Sequence, residues 1–173
     1  MANTYVNIAS TTLSSSQATV TFSSISSSYT DLVLRISART DRASAYDDVL
    51  LRINGNSAVS YSNTYLRGSG STANSARNNI STSLAIVSSA DGNNATASTY
   101  GSLEIYIPSY TVAQNHPISA FGVQEGNQAA MFLATTAGLA RVASAITQID
   151  ISPFTGPNFI SGSTFYLYGI KKT

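Results

Sequence analysis

Very few side chains in this sequence are equipped for chemistry. Nucleophilic, acid–base and metal-assisted catalysis draw mainly on His, Cys, Asp, Glu and Lys. Across 173 residues there is one histidine, His116, no cysteine, eight acidic residues, and lysine only at Lys171 and Lys172. A serine triad would have to use His116 as its base, and no Gly-x-Ser-x-Gly elbow singles out a nucleophile among the many serines. His116 precedes Pro117 and reads as an exposed or capping histidine on a loop entering a strand. A glycosidase needs two carboxylates roughly 5–10 Å apart, and Glu104 and Asp150 are the pair that strand pairing could bring together. Asp41, Asp47 and Asp48 share one connection and offer hard oxygen ligands, but not in the alternating spacing of a calcium loop. Arg35, Arg39, Arg42 and Arg52 are near in sequence, so local salt bridges are the expected arrangement. No catalytic residue, metal or cofactor is expected, and the composition leans toward a structural or binding role.

Six of the seven arginines, Arg35, Arg39, Arg42, Arg52, Arg67 and Arg77, crowd into less than a third of the chain. Asp31 just before this stretch and Asp41, Asp47 and Asp48 within it leave a local excess of about two charges, too few for a groove that must meet several phosphates. The formal net charge of +1 gives no long-range field toward nucleic acid or anionic lipid. Arginine's planar fork suits protein interfaces, so these six are the candidate protein-contact residues. The ten tyrosines, unaccompanied by tryptophan, admit a second use. Rows of tyrosine can stack on sugars or anchor a partner, although half-buried tyrosines closing a sheet edge are the plainer expectation.

The elements that must position these residues repeat with a period of two. Leu32, Leu34, Ile36 and Ala38 alternate with Val33, Arg35, Ser37 and Arg39, the pattern of a strand with one buried face. Leu103, Ile105 and Ile107 alternate with Glu104 and Tyr106, and Phe165 and Leu167 with Tyr166 and Tyr168. Weaker runs cover Tyr5–Ala9, Ala18–Ile25, Val49–Ile53, Tyr61–Arg67, Ser83–Val87, Ile118–Gln124, Ala129–Thr136 and Ile146–Ser152. Asn54-Gly55-Asn56 is a hairpin signal. Gly68–Asn79 reads as a long exposed loop, and Ala129–Ala145 as two strands with a turn at Ala137-Gly138. About ten short antiparallel strands without a helix indicate an all-β sandwich or barrel, with residues 1–173 forming one domain. The first residues lack the basic and apolar regions of a secretory signal, and no apolar run nears the ~20 residues that span a bilayer.

Two segments carry a family resemblance. Ser28-Tyr-Thr-Asp-Leu-Val-Leu-Arg-Ile-Ser-Ala-Arg39 with Val49-Leu-Leu-Arg-Ile-Asn-Gly55, and the closing Asn158-Phe-Ile-Ser-Gly-Ser-Thr-Phe-Tyr-Leu-Tyr-Gly-Ile-Lys171, resemble small virion structural proteins of tailed bacteriophages. The resemblance implies a single jelly-roll-like antiparallel β-sandwich. It also implies a capsid decoration or cement role, with the major capsid protein and further copies of the chain as partners. The low charge and short apolar runs give no expectation of a nucleic-acid or membrane partner. Synthesis in the host cytoplasm and residence in the virion follow from the resemblance. Related domains occur in tail fibres and tail tips, where the ligand would be a host glycan. No catalytic residue is implied.

Overall fold

Apolar alternation sets the strands. The computed structural model describes residues 4–129 and 131–171, so Lys172 lies outside it. The first strands are β1 (Tyr5–Thr12), β2 (Val20–Phe22), β3 (Asp31–Ala38) and β4 (Tyr46–Ile53). Next come β5 (Tyr61–Ser69), β6 (Thr72–Ser81), β7 (Leu84–Asp91) and β8 (Gly101–Ile107). The chain closes with β9 (His116–Gln124), β10 (Phe132–Ala140), β11 (Ile149–Pro153) and β12 (Thr164–Ile170). There are twelve strands rather than about ten, and no helix among the described residues.

The strands form an antiparallel sandwich. One sheet has the order β1-β12-β3-β8-β9-β10-β5-β6, the other β2-β11-β4-β7. Between β1 and β4 the chain changes sheet at every step, and it does so again from β7 to β8 and from β11 to β12. The set β1-β12-β3-β8 over β2-β11-β4-β7 is thus the double Greek key of a jelly roll. The pairs β5–β6 and β9–β10 are additions that widen the first sheet beyond β8. Leu32, Leu34 and Ile36 on β3, Leu51 and Ile53 on β4, Ile105 and Ile107 on β8, and Phe165 and Leu167 on β12 fill the space between the sheets. All are at most 3% exposed, and burying each side chain of this size is worth about 1.5–3 kcal/mol. Because strand side chains alternate between faces, this inward set forces Arg35, Glu104, Phe121, Tyr166 and Tyr168 outward.

Three expectations are corrected by this architecture. First, Ala137-Gly138 is not a turn: β10 runs straight through it, pairing with β5 on one side and β9 on the other. Gly138 marks a close approach between the sheets: an added Cβ would stand 2.6 Å from both terminal methyls of buried Leu84, which would have to shift. Second, most of Gly68–Asn79 is a strand: β6 pairs with β5 from Asn63↔Asn78 to Ser69↔Thr72, closed by the two-residue loop Gly70-Ser71. Gly70 has φ +55°, the left-handed geometry that a type II′ turn needs at its first central position. Third, Asn54-Gly55 is a turn with positive φ at both residues, but it joins no hairpin. β4 pairs with β7 and β11, and the chain leaves it for the other sheet. Asn54 instead clasps the segment before β11, its Oδ1 accepting from the backbone N–H of Thr147 at 2.9 Å and of Gln148 at 3.1 Å.

A candidate binding face on the wide sheet

The side chains that catalysis would need do not meet. Glu104 points off the outer face of the wide sheet and Asp150 off the outer face of the narrow one, so no carboxylate pair forms. His116 is fully buried, contrary to its expected exposure; it opens β9 and faces the core. Its Nε2 lies 2.8 Å from the carbonyl oxygen of Ser144, and no serine hydroxyl is its partner.

The three aspartates serve the backbone more than they serve arginine. Asp47 is fully buried and accepts from the N–H groups of Thr155 and Gly156, while Asp41 accepts from the backbone and side-chain N–H of Asn158. Asp48 accepts from Ser88 N–H at 2.6 Å; burial pushes its carboxyl above the usual carboxylate range, and that bond offsets part of the rise. Of the expected local salt bridges only Arg42–Asp47 forms among the described residues, at 3.6 Å. The acids hold the 154–158 connection in place and assemble no metal-binding group among those residues.

The six arginines do not share one face. Arg39 is 5% exposed, which removes it as a surface contact. Its guanidinium donates to the carbonyls of Asn93, Ala95, Thr96 and Thr99 at 2.7–3.0 Å. Arg42 and Arg67 lie against aromatic rings, Arg42 over Tyr46 at 5.0 Å and Arg67 over Phe132 at 4.7 Å. Tyr46 and Phe132 meet edge to face at 4.9 Å, so the two arginines cap a short aromatic ladder. Arg52 sits on the narrow sheet and donates to the carbonyl of Thr82 at 3.2 Å. Arg35 and Arg77 remain on the outer face of the wide sheet.

That outer face holds the most developed site. Across neighbouring strands the register sets Tyr166, Arg35, Glu104, Phe121, Thr135 and Leu66 in one row. Arg35 and Glu104 form an ion pair at 2.5 Å, both well exposed, which adds little stability in water but presents five donors and a carboxylate to whatever docks. Tyr166 and Tyr168 stand two residues apart with ring centroids 6.3 Å apart and planes 18° from parallel. Between them and Phe121 lies an open hollow of about 460 Å³, floored by Arg35 and Glu104 and edged by the hydroxyls of Ser37, Ser102 and Thr164. Phe121 also borders an apolar hollow of about 260 Å³ formed with Leu66, Leu133 and Ala73. Arg35 and Tyr168 extend the groove the other way toward Tyr5. The whole is a shallow trough crossing the wide sheet, polar and tyrosine-lined at one end and apolar at the other.

No protein-family model matches the chain, and no curated protein matches it. Among solved structures, the chain is similar to an exo-inulinase from Aspergillus awamori at 13% identity and a TM-score of 0.48. The match covers 96% of this chain but 29% of that enzyme. So distant a likeness transfers neither site nor activity.

The tyrosine row is visible in the sequence at Tyr166 and Tyr168; its neighbours Phe121, Leu133 and Leu66 are not among the sequence candidates. The alternation of β9 and β10 could have found them, since Ile118, Ala120 and Gly122 alternate with Ser119, Phe121 and Val123. The two large apolar residues of the outward set are out of place on a solvent-facing strand.

Proposed function

We propose that this chain is a non-enzymatic structural protein of a tailed-phage virion, a capsid decoration or cement protein that binds its own copies and the major capsid protein. One observation carries the proposal. Leu66, Phe121 and Leu133, each more than half exposed, cluster on a sheet face that no second layer covers, and clustered exposed apolar residues mark interaction sites. The double Greek key agrees with the fold implied by the phage resemblance. Cementing requires added interface area and no chemistry, and repetition over symmetry-related sites multiplies weak contacts through avidity.

Imaging of the intact particle tests the proposal: density for this chain is expected on the head, over subunit junctions, with the wide sheet facing the shell. Particles lacking the protein should burst at lower temperature or milder osmotic stress. A Phe121→Asp, Leu133→Asp double variant should keep its melting temperature and fail to decorate. Normal decoration by that variant would sink the assignment of the face.

A second reading, a tail-borne module binding host glycans, is favoured by the hollow between Tyr166, Tyr168 and the Arg35–Glu104 pair. Saccharide titration of purified protein tests it directly. Binding abolished by Tyr166→Ala supports it; no binding, together with head density, rules it out.

A further inference from the structure

The sandwich has four sheet edges, and three of them are blunted. β1 carries a register shift between Asn7 and Ala9. β2 has only three residues. β7 is broken by a register shift near Ser88, whose φ is +51°. The fourth edge, β6, is different. It is ten residues long, every residue from 72 to 79 is exposed, and its register with β5 is regular from Thr72 to Asn78, the one shift falling at the far end between Asn78 and Ser81. Its only charge is Arg77, and it has no lysine or proline. Natural sheets guard long edges with those devices because unpaired N–H and C=O groups template further pairing. β6 also packs substantially against β5 alone, and a two-stranded ribbon by itself is marginal in water.

The bonding pattern of the hairpin shows which groups are free. A two-residue loop makes Ser69↔Thr72 a hydrogen-bonded pair, and bonded and non-bonded pairs then alternate. Gly68↔Ala73, Leu66↔Ser75 and Thr64↔Arg77 are therefore non-bonded pairs. The N–H and C=O groups of Ala73, Ser75 and Arg77 point away from β5 to the open edge.

We propose that β6 pairs antiparallel with β6 of a second copy about a two-fold axis through Ser75, joining two eight-stranded sheets into one. The inference deepens the self-association in the reading above by naming its surface. In this register Ser75 meets Ser75 and Ala73 of each copy faces Arg77 of the other, so every free group of the three residues finds a partner. The long arginine lies opposite the smallest side chain on the strand. The two Arg77 are four residues apart along the ladder, about 13 Å at 3.3 Å per residue, beyond the ~8 Å reach of charge in physiological salt. A strand with one charge and small polar side chains offers little to a charged or greasy partner and fits itself without conflict. Edge pairing alone falls short of the ~1,200 Å² typical of stable complexes, so the dimer is weak in dilute solution and gains from repetition on an ordered surface.

Sedimentation of the purified protein over a range from micromolar to near-millimolar tests the pairing. The weight-average mass should rise with concentration from 18.1 kDa to about twice that. Ser75→Pro removes an N–H that faces only the open edge, where proline is tolerated, and should hold the mass at the monomer value without lowering the melting temperature. Ser75→Lys, which sets two like charges across the axis, should do the same. Amides of Ala73, Ser75 and Arg77 should gain hydrogen-exchange protection as concentration rises. A wild-type mass that stays at the monomer value throughout overturns the proposal, as does association unaffected by both variants. Protection that appears only when head proteins are added assigns the edge to another partner and overturns it too. Particle imaging tests the virion reading without reference to β6, so the two can fail separately.

Discussion

Replacing Arg39 by methionine keeps an aliphatic stem in the core and deletes the guanidinium that holds the 93–99 connection closed. Four carbonyl oxygens lose a donor; that of Thr96 still accepts from the Thr99 hydroxyl and N–H, so those of Asn93, Ala95 and Thr99 are the ones orphaned. An orphaned buried acceptor costs about 1–3 kcal/mol, so with three of them a loop that stayed shut would lose about 3–9 kcal/mol. The connection lies at the surface, with Asn93, Asn94 and Thr96 exposed, and it can open to hydrate those oxygens. The expected loss is therefore about 3–5 kcal/mol, the range for breaking a buried charged partnership. For a chain of this size that lowers the melting temperature by about 6–20 °C.

A second effect follows at Asp91, which is fully buried with no hydrogen-bond partner on either oxygen. Burial raises its carboxyl above the usual range, and the nearby Thr99 hydroxyl and then the Arg39 charge pull it part of the way back. Without Arg39 it rises further. A raised folded pKa means that the native state holds its proton longer than the unfolded state. Stability is then lost as pH climbs from the ordinary Asp value, about 3.9, through the folded one. Arg39→Met should thus destabilise more at pH 7 than at pH 4, and adding Asp91→Asn should restore part of the loss at pH 7. Circular-dichroism melts of the three proteins at several pH values measure this, with hydrogen exchange localising the opening to residues 93–99. A drop under 2 °C at pH 7, an equal loss at pH 4, or no recovery with Asp91→Asn would refute the reasoning.

Other outcomes are open to the same kind of test. Gly138→Ala should cost about 1–3 kcal/mol by overpacking, and less in a Leu84→Ala background, where the clashing methyls are gone; additive losses would contradict the contact. Tyr61→Phe removes the hydroxyl that accepts from Ile53 N–H at 3.0 Å and should cost about 1–3 kcal/mol, measured by urea unfolding. Arg35→Ala should change stability by less than about 1 kcal/mol because its ion pair is exposed, while altering whatever binds the trough. In Asp91→Asn alone, the decline of stability between pH 4 and 7 should be shallower than in wild type.

Strands with strong alternation were legible because one face is buried along their whole length. β3, β8 and β12 form the centre of the jelly roll, and their inward residues Leu34, Ile105 and Leu167 leave no ambiguity of period. The failures share a physical cause. β6 is exposed on both faces, so no apolar set marks it, and only Gly70-Ser71 betrayed the hairpin. Gly138 reads as a turn in sequence because glycine marks both turns and close approaches; which one applies depends on Leu84, more than fifty residues away. Residue type alone points His116 and Arg39 to the surface, whereas carbonyl partners distant in sequence draw both inside. The binding trough was half visible: its tyrosines stood out, but its apolar end forms only when β10 brings Leu133 between Phe121 and Leu66.

The register of β4 with β7 has a consequence for how this protein can vary. Leu51 and Leu84 face each other in the narrow sheet, so in topological terms everything between them is a single excursion that leaves and returns to one place. The β5–β6 ribbon is an elaboration of that excursion, and beyond Tyr61 none of its described residues joins the apolar core between the sheets. Sequence change, insertion of a tag at Gly70-Ser71, or exchange of the ribbon tip can alter reach and partner choice while the double Greek key stays intact. A lineage of such proteins would be free to diversify at this arm and held fast at Leu34, Ile105 and Leu167.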